Sequence, residues 1–232
     1  LKRTVEEANA LARLVKHKAP PDKPVLALLD GSLILWQLGG GQQNQYPDFV
    51  RRAFLQDGIV EALETIRNIS ERSRIAVASY ISLPNARDVV NLLRLALCDY
   101  SSFGDCSRYC RTISPGDRHC DTVHSLTDRD LFAHLLAPGE RSTLFYTRSS
   151  VVRDHYGPPA TGFPLLERPH AIGFFYLNVG QEIARVEIPA WVASDEALLS
   201  LTHTLVLDQA RRGDGYPPAI QEAHEQAVLT GT

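Results

Sequence analysis

The chain has 232 residues, 44% of them hydrophobic and 22% charged, with a formal net charge of −3. That apolar content supports a packed core and excludes a disordered tail, while the small negative charge excludes nucleic-acid binding through a global cationic field. No apolar run is long enough to span a bilayer, and no charged start leads into an apolar stretch with a cleavage site, so the expectation is a soluble, intracellular protein.

In chain order, residues 4–17 carry apolar side chains at Val5, Ala8, Leu11, Ala12 and Val15, a helical stripe, with Thr4 and Glu7 spaced as in a capping box. Pro20 and Pro21 stop it. Residues 25–29 are apolar without alternation, which predicts a central strand covered on both faces, and the run then meets Asp30-Gly31-Ser32. A segment at 33–36 and a Gly/Gln/Asn loop over 39–45, flexible by composition, follow. Helix is expected over 47–70, a second buried strand over 75–81, and a helix through Val89, Leu93 and Leu97 after Pro84.

From residue 98 to about 126 the pattern breaks into a polar insertion carrying all four cysteines, before helix returns at 128–136. Residues 142–147, 172–177 and 183–188 are expected as strands, the last with Arg185 and Glu187 on one face, as a cross-strand ion pair or part of a DNA groove. Two helices, 195–211 and 217–229, close the chain around the turn Gly213-Asp214-Gly215-Tyr216-Pro217. The chain contains no Met and opens at Leu1 directly on a helical pattern, which is expected of a fragment.

Asp30 is the leading candidate for chemistry. A carboxylate at the carboxyl end of a buried strand sits where open α/β sheets collect ligands and metals, although Asp-Gly is also ordinary turn punctuation. Glu7 lies about 100° from the centre of its helix's apolar stripe, on the sheet-side margin, whereas Glu6 points nearly opposite. A helix antiparallel to the next strand brings Glu7 toward Asp30. His224 sits on the last helix beside Ile220 and Ala227, either as a core histidine or as a ligand. Tyr216 is read as a turn residue or a base-stacking and phosphate-bonding one. Local basic groups are Arg51 with Arg52, then Arg67, Arg72 and Arg74, then Arg141, Arg148 and Arg153, and Arg211 with Arg212.

Cys98, Cys106, Cys110 and Cys120 fall close together, with His119 and His124 nearby. Soft thiolates suit a structural Zn2+, but the spacing lacks paired C-x2-C knuckles; free thiols and disulfides stay open beside zinc.

Taken together, the segments Arg3-TVEEANAL-Leu11, LALLDGSLILWQL, SYISLPNARDVVNLLR, LTDRDLFAHLLAPGERS, IGFFYLNVGQEIARVEIPAW and DQARRGDGYPPAIQEAHEQAV resemble, in this order, the NurA nuclease family, partner of the HerA ATPase. The resemblance implies an α/β fold with a ribonuclease H-like (PIWI-like) nuclease core, spanning 1–232 as one domain with the cysteine insertion at 98–126 inside it. It implies a metal-dependent DNA nuclease, acting as a 5′–3′ exonuclease and single-strand endonuclease in DNA end resection and repair. Mn2+ (or Mg2+), a homodimer, a HerA-type hexameric ATPase and a cytoplasmic, nucleoid-associated setting come with it. Asp30, Glu7 and His224 are the residues it implies for catalysis and metal, with Glu6 the alternative to Glu7. Tyr216, Arg185 and Arg141 are the expected DNA contacts. Family members also carry an earlier Asp-Gly-Ser at the end of a first strand, which has no counterpart here. An N-terminally truncated core is therefore expected, and a catalytically incomplete fragment serving as a dimerisation or DNA/ATPase-binding module is the alternative. Imidazole beside carboxylates tilts such a site from magnesium toward manganese.

Overall fold

The computed structural model describes residues 1–20, 22–39, 46–99, 105–114, 116–157 and 168–229. Most of the Gly/Gln/Asn loop expected over 39–45, and parts of the cysteine insertion, lie outside these residues.

Helices α1 (Lys2–Lys18), α2 (Asp48–Phe54), α3 (Glu61–Ser70), α4 (Asp88–Ala96), α5 (Cys106–Tyr109), α6 (Asp128–Leu135), α7 (Ser150–His155), α8 (Ala190–Ala193), α9 (Glu196–Arg212) and α10 (Pro218–Leu229) surround one sheet. Its strands are β1 (Val25–Asp30), β2 (Ile75–Ile81), β3 (Phe145–Tyr146), β4 (Ile172–Asn178) and β5 (Ile183–Pro189), in the order β1-β2-β5-β4-β3. β1 and β2 run parallel, and the remaining pairs are antiparallel. The α/β class expected from the sequence is therefore present. Helices α1, α3, α9 and α10 pack around β1 and β2, while α6 and α8 cover β4 and β5.

Four local expectations are corrected. Among the described residues β1 is an edge strand, paired only with β2 and partly buried over most of its length, rather than a central strand. Its unbroken apolar run is explained by the helices α1, α9 and α10 packed around it. α1 starts at Lys2 with Leu1 before it and no side-chain cap, so Thr4 and Glu7 form no capping box; Glu7 instead accepts from Arg3 one turn earlier, the (i, i+4) geometry that neighbours on a helix surface favour. The strand expected over 142–147 shrinks to Phe145–Tyr146, with Arg141 making an isolated bridge to Leu177. Arg185 and Glu187 do pair, but as neighbours along one face of β5, with Nε–Oε1 at 3.0 Å.

The segment after β1 is fixed from inside. Glu187, fully buried, accepts from Ser32 Oγ at 2.8 Å and Leu33 N at 2.9 Å, and buried Tyr156 donates to the Leu33 carbonyl at 2.7 Å. Leu33, Ile34, Leu35 and Leu38 are buried behind these bonds. A polar group buried this deeply is tolerated because every oxygen has a donor. Strand β1 thus ends at a pinned corner, with Asp30 pointing out of it.

Candidate functional site

Asp30 closes β1, and Gly31 follows at φ +82°, a left-handed conformation that glycine adopts without a Cβ clash. In the β1–β2 register Asp30 lies opposite Tyr80. Tyr80 is buried, and its hydroxyl donates to Glu182 at 2.7 Å and stands 3.0 Å from the Gly215 carbonyl. Gly215 takes φ +105°, with its missing Cβ only 2.9 Å from Gln181 Cβ, so the 213–217 turn nests against the β4–β5 turn. That packing delivers Tyr216, whose ring meets Tyr80 edge-on at 5.6 Å and whose hydroxyl donates to Asp30 Oδ1 at 2.9 Å. Burial first, then the Asp30 carboxylate, pushes the Tyr216 phenol well above its ordinary value and keeps it a donor.

Helix α10, starting at Pro218 just past this turn, carries His224, whose Nδ1 lies 3.7 Å from Asp30 Oδ2. Glu7 and Arg3 on α1, with Ile220, His224 and Asp30, line one cavity of about 410 Å3. The three residues singled out for chemistry therefore share one cavity, although they come from the two ends of the chain and a strand between. Their heads are not equally placed. The Asp30 and His224 heads are close and both about half-exposed, while Glu7 Oε1 is held by Arg3 Nε at 2.7 Å. Arg3, raised above its usual value by Glu7 and in smaller part by Asp30, puts a fixed positive charge beside the carboxylates.

Hard carboxylate oxygens beside an imidazole nitrogen match the donor preferences of manganese better than those of magnesium. Among the described residues no three His, Cys, Asp or Glu side chains are grouped to hold an ion. The fit thus rests on a converged pair, Asp30 and His224, with Glu7 on the same wall engaged by Arg3.

The other expected contacts lie elsewhere. Arg185 is buried, bonded to Glu187 and, at 2.7 Å, to Asp88; burial works against its charge, and these two carboxylates more than offset that and hold it above its ordinary value. The Arg141 guanidinium sits 5.5 Å over the Phe175 ring and donates to the Ser142 carbonyl. Neither lines the Asp30 cavity. Several of the basic clusters are locally paired: Arg67 with Glu64, Arg52 with Asp57, Arg153 with Asp154, Arg212 with Asp208. Cys110 is buried, Cys98 and Cys120 partly so, Cys106 exposed, and all four are free. Burial chiefly, with the neighbouring thiols of Cys106, Cys98 and Cys120, pushes the Cys110 thiol up.

Sequence reasoning missed Tyr80, Glu182 and Arg3. A lone Tyr inside an apolar strand gives no sign of the turn it will support. Arg3, by contrast, stands one helical turn before Glu7 and was legible as its ion-pair partner.

No helix among the described residues is long and apolar enough to cross a membrane. No curated protein and no solved structure matches the chain. A family model, the NurA domain, matches residues 1–229 of the 232. With nearly the whole length matched, the chain belongs to the NurA family of DNA-processing nucleases.

Proposed function

We propose that this chain is a divalent-metal-dependent deoxyribonuclease that hydrolyses the DNA backbone at the Asp30 cavity, cutting single strands and resecting from 5′ ends. The observation that carries the reading is the Asp30 carboxylate fixed by Tyr216 at 2.9 Å and faced by His224 at 3.7 Å over a cavity shared with Glu7. Asp30, His224 and Glu7 would hold the ion, and a bound divalent cation supplies neutralisation of phosphoryl charge and activation of water. Tyr216 fixes the rotation of Asp30 so that one oxygen stays toward His224. His224 would offer to the ion the ring nitrogen Nδ1 that faces Asp30, and Arg3 offers a guanidinium to a backbone phosphate. A ribonuclease H-like core, manganese preference, a homodimer and a HerA-type ATPase partner belong to the same proposal and rest on family membership.

A second reading is favoured by one observation, the Arg3–Glu7 pair that leaves two donors converged among the described residues. On that reading the chain binds DNA or the ATPase without cutting. Incubation with end-labelled single-stranded DNA and manganese separates the two. Cleavage that disappears in Asp30→Ala supports the nuclease; DNA binding without cleavage by the unmodified protein supports the module.

A further inference from the structure

A second cavity, also about 410 Å3, opens at the carboxyl end of β2 and is lined by Trp36, Asn85, Asn91, Asp88, Arg185 and Glu187 among others. Its volume is that of an ordinary small-ligand pocket. The Asp30 site does not use it. By the strand register, Arg185 and Glu187 lie on one pleat face with Ser79, and Asp30 with Tyr80 on the other. The two cavities therefore occupy opposite faces at the same end of the sheet.

Three features define what it accepts. Arg185, only 2% exposed, rests its guanidinium 3.7 Å over the Phe174 ring and spends Nε on Glu187 and Nη1 on Asp88, yet its buried Nη2 has no hydrogen-bond partner. A buried charged donor without an acceptor is costly, so this atom calls for a ligand acceptor. Trp36, 48% exposed as a residue, lines the cavity while its Nε1 donates to Ser32 Oγ at 3.1 Å, so the ring is held in place and still presents apolar surface. Asn85 and Asn91 add carboxamides that both donate and accept. A phosphate is a poor occupant, because the Asp88 and Glu187 carboxylates already flank Arg185. A planar, uncharged ring bearing carbonyl or ring-nitrogen acceptors suits all three features.

We infer that this cavity binds one unpaired base of the substrate strand, stacked on Trp36 and hydrogen-bonded by Arg185 Nη2 and the two asparagines. The inference rests on the nuclease reading of the Asp30 site and deepens it. Trp36 is tied through Ser32 to the segment directly after Asp30, so a base seated here anchors the strand beside β1. Only an unpaired base can enter such a pocket, which makes it a selector for single strands.

The test uses an oligodeoxythymidine about 15 nucleotides long carrying one 2-aminopurine, titrated with protein in EDTA so that cleavage cannot occur. Binding should quench the 2-aminopurine, and Trp36→Ala should abolish the quench and weaken binding about tenfold, with Trp36→Phe retaining most of the affinity. Asn91→Ala should weaken binding without touching the indole. A duplex of the same sequence and the free 2-aminopurine deoxyriboside should show no comparable quench. An unaltered quench in Trp36→Ala, an unaltered affinity in Asn91→Ala, or equal quenching of the free nucleoside or the duplex would overturn the inference. Manganese-dependent cleavage by wild type and Asp30→Ala, run on the same preparations, reads the nuclease assignment separately. Cleavage lost in Asp30→Ala alongside an unaffected Trp36→Ala quench sinks the base pocket alone.

Discussion

Tyr216 donates its hydroxyl to Asp30 across 2.9 Å, joining residues 186 positions apart and fixing the one carboxylate on which the candidate site turns. Removing that donor with Tyr216→Phe leaves the ring packed edge-on against Tyr80 and frees Asp30 to rotate. A hydrogen bond to a charged acceptor contributes about 1.5–3 kcal/mol at most, less at this half-exposed position. Metal-dependent cleavage should fall by about tenfold in single-turnover assays, with the thermal midpoint nearly unchanged. An unaltered rate would show that Asp30 needs no such positioning.

Arg3 occupies the cavity as a resident cation, bonded to Glu7 and drawn also by Asp30. Arg3→Gln releases Glu7 and removes a positive charge from beside the donors, so divalent-ion affinity should rise severalfold at low ionic strength and less at high salt. Isothermal titration with manganese at two salt concentrations reads this. Weaker binding in the variant would mean that Arg3 organises the donors rather than competing with the ion.

Glu187 is the post behind the site. It holds part-buried Ser32 and buried Leu33 and Arg185 at once. Glu187→Ala leaves Arg185 without one of its two partner carboxylates and strips Ser32 and Leu33 of their acceptor, so the unfolding free energy should drop by about 3–5 kcal/mol in denaturant titrations. Glu187→Gln retains an acceptor and should cost less. A loss below about 1 kcal/mol for the alanine variant would show that the network adds little.

His170 gives the fold a pH dependence of known sign. It is buried with Nε2 at 2.7 Å from Glu64, and burial, outweighing Glu64, pushes the imidazole below its ordinary 6.5. The unfolded chain then takes up a proton that the folded chain resists. The stability linked to this group is complete above 6.5 and is lost as pH falls from there through the folded value. Denaturant midpoints should decline between pH 7.5 and 5.5, and His170→Asn should flatten that slope. A slope of the same size in the variant would assign it to other groups.

Several elements around the candidate site were legible because their clues were local, whereas the grouping of Asp30, Glu7 and His224 came from the family resemblance. Asp30 ends an apolar run, Glu7 lies on the inner margin of an amphipathic helix, and Gly215 and Pro217 mark the entry to the helix that carries His224; each follows from spacing and backbone chemistry alone. What stayed hidden depended on long-range pairing. An apolar run reads the same whether a second strand or a set of helices covers it, so the edge position of β1 left no trace in residues 25–29. Thr4 and Glu7 had capping-box spacing, but the helix begins two residues earlier, and Arg3 takes the carboxylate. Tyr80 and Glu182 support Tyr216 through a turn formed only once the sheet closes.

The central claim is that Asp30 and His224, with Glu7, hold a divalent ion. Titrating manganese into the protein and following the free-ion signal by electron paramagnetic resonance measures this without relying on cleavage. Wild type should deplete the signal through a site that Asp30→Ala eliminates and that His224→Ala and Glu7→Gln weaken. Equal depletion by wild type and Asp30→Ala would contradict it.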